Sequence, residues 1–109
     1  MRHYEFGEIV LLKFPFTGGI GYKKRPALIS FDSGDADVIV ARVTSQAKID
    51  WYDIVVRHWQ TAGLKLPSIV RLHKIATLEK PLIDQKIGLL QATDAIEIRR
   101  LIAEILKSI

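Results

Sequence analysis

Apolar residues along this chain come in short runs closed off by turn-forming residues, and only the last part of the sequence repeats at helical spacing. Residues 8–14, following Gly7, are β-rich and predict a first strand. Residues 27–31 are apolar and bounded by turn residues, the pattern of a buried second strand. Asp32-Ser33-Gly34-Asp35 has turn chemistry. The apolar run at 38–43, interrupted by Arg42, predicts a third strand buried on both faces for much of its length. Shorter strands are expected at 53–57, 68–72, 74–78 and 86–90, with Gly63 and Pro81 marking breaks between them. Ile98, Leu101, Ile102, Ile105, Leu106 and Ile109 then make one continuous apolar stripe on a terminal helix. Thr93 or Asp94 is placed to cap that helix, and Glu97 stands in capping-box relation to Asp94. Acidic residues early and Lys107 late agree with the helix dipole.

Many short strands followed by one helix, without repeat, low-complexity tract or linker, predict a mainly β (α+β) fold. The expected architecture is a single domain over 1–109, a small curled antiparallel sheet or barrel with the helix packed on it. A chain of 109 residues is long enough to build its core without staples, and 49% hydrophobic with 26% charged residues is ordinary for a soluble protein. The absence of cysteine excludes disulfides and thiolate metal sites. The first residues lack the apolar core of a secretion signal, and no apolar run approaches the roughly 20 residues of a membrane span. A cytoplasmic protein with no membrane partner is the expectation.

Sixteen Lys and Arg against twelve Asp and Glu give a net charge of +4, which permits an anionic partner without demanding one. The cations are scattered except at Arg99-Arg100 and in Lys23-Lys24-Arg25, which runs directly into Pro26 and the second strand. Proline fixes its own φ and pushes Arg25 out of the helical region, so Arg25 should be extended at the strand entrance. A guanidinium there, flanked by Lys23 and Lys24, suits a phosphate backbone. Glycines at 18, 19 and 21 make the preceding loop pliable.

Other chemistry finds little support. His3, His58 and His73 follow no ligand spacing, so no metal is expected. Asp32, Asp35 and Asp37 read as a solvated turn. No phosphate-binding Gly-rich loop and no nucleophile elbow is present, which removes nucleotide hydrolysis and esterase activity. What remains is a set of polar groups at strand ends: Arg25, Thr44 with Ser45, and Ser68 with Arg71 and Lys74. If a hairpin through 32–37 joins the second and third strands, the start of one lies beside the end of the other. Arg25 and Thr44 then share a rim. There the guanidinium can stabilise charge building on a phosphoryl group attacked by an RNA 2′-hydroxyl, while Thr44 fixes the reacting geometry. Such a step calls for no cofactor.

The residues that resemble a known family now follow in order. They are Gly7-Glu8-Ile9-Val10, Phe14-Pro15-Phe16-Thr17, Lys24-Arg25-Pro26-Ala27-Leu28-Ile29-Ser30 and Val43-Thr44-Ser45. Gly63-Leu64, Leu66-Pro67-Ser68, Val70-Arg71-Leu72, Lys74-Ile75-Ala76-Thr77-Leu78 and Lys86-Ile87-Gly88 continue the series. Together they resemble the PemK/MazF toxins of bacterial type II toxin–antitoxin systems over nearly the whole chain. The resemblance implies an SH3-like barrel with a C-terminal helix, usually a homodimer. It implies a metal-independent endoribonuclease acting on single-stranded RNA, often mRNA, and leaving a 2′,3′-cyclic phosphate and a 5′-hydroxyl. The family's functional arginine and threonine fall on Arg25 and Thr44, and a cognate antitoxin is the implied protein partner. The loop before Arg25 lacks the acidic residue of many relatives, and no acid or base of the family maps onto His58 or His73. Lys23, Lys24, Ser45, Ser68, Arg71 and Lys74 are the candidate RNA contacts. Two other readings are open: a CcdB-like, non-catalytic toxin that binds DNA gyrase, and an SH3-like RNA-binding module using Trp51, Tyr52 and Trp59 as stacking platforms.

Overall fold

The computed structural model describes residues 2–15, 18–45 and 49–109. Six antiparallel strands precede one helix: β1 (Glu8–Pro15), β2 (Tyr22–Phe31), β3 (Asp37–Thr44), β4 (Asp53–Val56), β5 (Ser68–Glu79), β6 (Ile83–Leu89) and α1 (Ala92–Lys107), with a 3₁₀ turn at Lys80–Leu82. They form one sheet in the order β4-β5-β3-β2-β1-β6. No ladder joins β4 to β6 among the described residues, so the expected barrel is a curled, open sheet.

Period-two alternation sorts the side chains onto two faces, and each face has its own core. Ile9, Leu28, Ala41, Val43, Val56 and Val70 line the face covered by α1, where Ile98 is fully buried and Leu101, Ile102 and Ile105 pack beside it. Burying a side chain the size of Ile98 contributes about 1.5–3 kcal/mol. Leu106 and Ile109, at the end of the apolar stripe, are exposed. The opposite face holds Tyr4, Val10, Leu12, Ala27, Ile29, Val38, Val40 and Ile83.

Two main-chain segments close the curl where hydrogen bonds do not. The turn after β4 lies directly against β6: a Cβ at Gly63 would overlap the carbonyl of Ile87, and one at Gly88 would overlap the carbonyl of Ala62. Gly63 also has φ +86°, which disfavours any other residue. Asp94 secures the same turn from the helix, its buried carboxylate accepting the N–H groups of Arg57 (3.1 Å) and His58 (3.0 Å). Asp94 therefore does not cap α1. Gln91 is the N-cap and no side chain caps the helix, because turn amides 36 and 37 residues away already occupy the Asp94 carboxylate.

Three boundaries differ from the sequence expectation. β2 begins at Tyr22, because β1 supplies a partner as far as the Tyr22–Pro15 pair, so the basic run lies inside a strand and not at its entrance. Residues 68–79 are one strand and not two. Its register against β3 jumps from Ile75–Ala41 to Arg71–Arg42, leaving 72–74 as an excursion within the strand. β6 starts at Ile83, directly after the 3₁₀ turn.

Asp32 anchors the segment before β1. Its side chain is inaccessible and accepts the Tyr4 N–H (2.7 Å), the Gly34 N–H (2.8 Å) and the Lys80 ammonium (2.9 Å). The Tyr4 N–H does most to hold the acid down, to about 2 from the usual 3.8; Lys80 and Gly34 add to it, and burial opposes it. A depressed carboxylate contributes stability that is present above pH 4 and lost as pH falls from 4 towards 2.

Two predictions follow from these contacts. Gly63→Ala should cost about 2–4 kcal/mol in urea unfolding, since it combines overpacking with a disfavoured φ. An Ala variant within 0.5 kcal/mol (about the scatter of surface substitutions) would remove the main-chain seam as a constraint. Asp32→Asn should lower the urea midpoint at pH 7, and the gap from wild type should close as pH falls from 4 to 2. A gap that persists unchanged to pH 2 would deny the carboxylate its stabilising role.

Candidate nucleic-acid interface

The β2–β3 ladder stops at the Ala27–Arg42 pair, yet both strands continue. Residues 22–26 stay paired with β1, and Val43 and Thr44 stay paired with β5. Beyond that pair the two strands no longer hydrogen-bond to each other, and this unpaired stretch is called the notch. Pro26, which has no N–H to donate, stands on β2 next to the last paired residue. Each step back along β2 is one step forward along β3, so carrying the register two residues past Ala27–Arg42 sets Arg25 across from Thr44.

Alternation then fixes which side chains share that opening. Arg25 lies two residues before Ala27, and Arg42 and Thr44 lie two and four beyond Val40, so all three belong to the face of the second core. Lys23 joins them from β2. Leu12, opposite Arg25 on β1, is buried beneath them. Arg25 and Lys23 are exposed and Thr44 is half-buried.

The sheet separates cations that are neutralised from those that are not. Lys24 alternates onto the other face, where its ammonium meets Asp84 at 2.9 Å. Arg71 is largely shielded and donates to Asp53 at 3.1 Å, directly across the β4–β5 ladder. The side chains of Lys23, Arg25, Arg42 and Lys74 form no ion pair with any described residue. Lys74 is exposed at the end of the 72–74 excursion of β5, whose first residue, Leu72, is buried. Ser45 is exposed just past β3. Ser68 leaves the set of candidate contacts: it is 7% exposed on the core side, and its hydroxyl donates to the Leu66 carbonyl at 2.7 Å.

Arg42 is the residue that sequence reasoning missed. In the sequence it interrupts an apolar strand, and a cation two places before Thr44 must share its face.

The aromatic residues divide. Trp59 packs against the helix-side core. Tyr52 meets His73 edge-on at 3.7 Å and donates its hydroxyl to Asp50. Burial first, then that carboxylate, push the phenol above its usual 10.0. Trp51 is exposed beside Tyr52 on the rim of a hollow also lined by His73, Ile105 and Ser108. Among the described residues, no three His, Asp or Glu side chains are grouped to hold a metal ion. No helix among them is long and apolar enough to cross a membrane.

At the notch, the guanidinium groups of Arg25 and Arg42, which form no ion pair with any described residue, stand on the two strands beside Thr44. Residues 5–106 match a family model described as PemK-like, MazF-like toxin of type II toxin–antitoxin system. No curated protein matches. Among solved structures, the chain is similar to the Mycobacterium tuberculosis toxin MazF-mt6, with TM-score 0.74 and 21% identity over 92% of this chain and 96% of that one. It is also similar to MazE–MazF from Deinococcus radiodurans, with TM-score 0.76 and 19% identity over 95% and 96%. A third similar structure is an endoribonuclease in complex with its cognate antitoxin from Mycobacterial species, with TM-score 0.72 and 20% identity over 96% of each chain. These likenesses establish a shared fold.

Proposed function

The chain belongs to the PemK-like, MazF-like toxins of type II toxin–antitoxin systems, and we propose that it is an endoribonuclease that cuts single-stranded RNA at the notch between β2 and β3. The observation that carries this reading is the facing of Arg25 and Thr44 across the point where the β2–β3 ladder ends, with the Arg25 charge uncompensated by any described residue.

In this reading a phosphodiester enters the notch and Arg25 holds its non-bridging oxygens through paired charge-assisted hydrogen bonds. The 2′-oxygen attacks phosphorus, the bond from phosphorus to the 5′-oxygen breaks, and a 2′,3′-cyclic phosphate and a 5′-hydroxyl result. Negative charge grows on the phosphoryl oxygens during attack, so a fixed guanidinium binds the transition state more tightly than the ground state. Arginine keeps its proton throughout. Its contribution is charge, and the protons lost by the 2′-hydroxyl and gained by the 5′-oxygen exchange with solvent. Thr44, on a paired strand that limits its movement, holds a phosphate oxygen or the attacking group in line.

The same reading places the protein in the cytoplasm, as a homodimer held in check by a cognate antitoxin that covers the notch. Neither a gyrase-binding toxin nor a binding-only RNA module is favoured by the geometry or by the family.

Arg25→Ala should lower kcat/KM on a long unstructured RNA by about 10²–10³-fold in EDTA, with an unchanged unfolding midpoint. Thr44→Val, which keeps the shape and removes the hydroxyl, should lower it about tenfold. End analysis should find 5′-hydroxyl termini. A folded Arg25→Ala protein that cuts like wild type would remove Arg25 from the mechanism.

A further inference from the structure

We infer that Arg42 is a positioning residue of the same site, binding the phosphodiester next to the one held by Arg25. The inference rests on the ribonuclease reading and adds a second phosphate subsite to it.

Arg42 sits in the last β2–β3 pair, opposite Ala27 on one side and opposite Arg71 on the other. Ala27 is buried and has no side chain beyond Cβ, so the residue directly opposite cannot cover the guanidinium. Arg71 is also a cation, and like charges directly opposite in a sheet destabilise it. Asp53 neutralises Arg71 from the far strand and leaves Arg42 alone. Its side chain is exposed and makes no ion pair or hydrogen bond with any described residue. A guanidinium held on a paired strand, next to a second cation and without a carboxylate among the described residues, suits an external anion better than it suits the fold.

Its place relative to Arg25 identifies which anion. The two are diagonal neighbours on one face, and such positions in a regular ladder are about 7–8 Å apart at Cα, widening where strands part. Two long side chains reaching into the opening from β2 and β3 are spaced for consecutive phosphates of one strand rather than for a single phosphate. The subsite is non-specific in sequence, because phosphates carry no base information.

Arg42 does not touch the reacting atoms, so its contact is equal in ground and transition states and should appear in KM with kcat unchanged. Arg42→Gln should raise KM about ten- to hundredfold on a long RNA, the range for one hydrogen-bonded charge contact. The decisive substrate is an RNA with its cleavage site mapped and an uncharged methylphosphonate replacing, in turn, the phosphate on each side of that site. One replacement should cost wild type about what Arg42→Gln costs on natural RNA, and the variant should be indifferent to it. Equal losses in wild type and variant at both positions, or a variant with wild-type KM, would overturn the proposal.

If wild type cuts no RNA, the nuclease reading fails by itself, and binding alone then decides the role of Arg42. With a 2′-deoxy oligonucleotide, Arg42→Gln should reduce the slope of log K against log salt by about 0.7, the loss of one single-strand phosphate contact. An unchanged slope would overturn it.

Discussion

Two backbones in contact, Ala62-Gly63 against Ile87-Gly88, hold this sheet in its curl. An open six-stranded sheet has no hydrogen bonds to bring its ends together, and here the turn after β4 is laid on β6 with no side chain between. The Asp94 carboxylate ties the same turn to α1, and α1 covers the helix-side core. β4 and β5 are thereby fixed relative to β1 and β2. The separation of β2 from β3, and the width of the notch, follow from that fixed frame. Several of the charges that define the site depend on it less directly, through pairs such as Arg71–Asp53 that form only when β4 lies beside β5.

The basic character of the molecule is less informative than its distribution. A net charge of +4 spread over sixteen cations says little about a binding face. Once carboxylates have neutralised Lys24, Arg71, Lys80 and Lys86, the cations on one side of the β2–β3 opening stand out for lacking partners among the described residues. Uncompensated cations on a rigid sheet repel one another and must be tolerated by the fold. An anionic partner relieves that repulsion, so the same feature that costs stability in the free protein favours the complex.

Much of this was legible in the chain. Strand positions follow from apolar runs between turn residues, and setting Arg25 across from Thr44 needs only one hairpin through 32–37. The start of β2 at Tyr22 was not legible, because Lys23 and Lys24 carry little β preference of their own and it is β1 that keeps them extended. The 72–74 excursion looked like a gap between two strands, since local pattern cannot distinguish a break from a register jump. Asp94 sits in a sequence position suited to a cap, and only the fold brings the amides of Arg57 and His58 to it. Neutralisation of Lys24 by Asp84 and of Arg71 by Asp53 depends on contacts far apart in sequence. Arg42 differs, because its shared face with Thr44 was there to be read from alternation alone.

β6 forms one border of the sheet; the turn after β4 covers it at Ile87 and Gly88, and ahead of them Asp84, Gln85 and Lys86 are all exposed. A bare strand border is a template on which a neighbouring chain can add its own strand, and charged side chains there make such an addition costly. The border at the other side, β4, is only four residues long. With both flanks defended, two copies of this chain have little opportunity to fuse their sheets into a continuous ribbon.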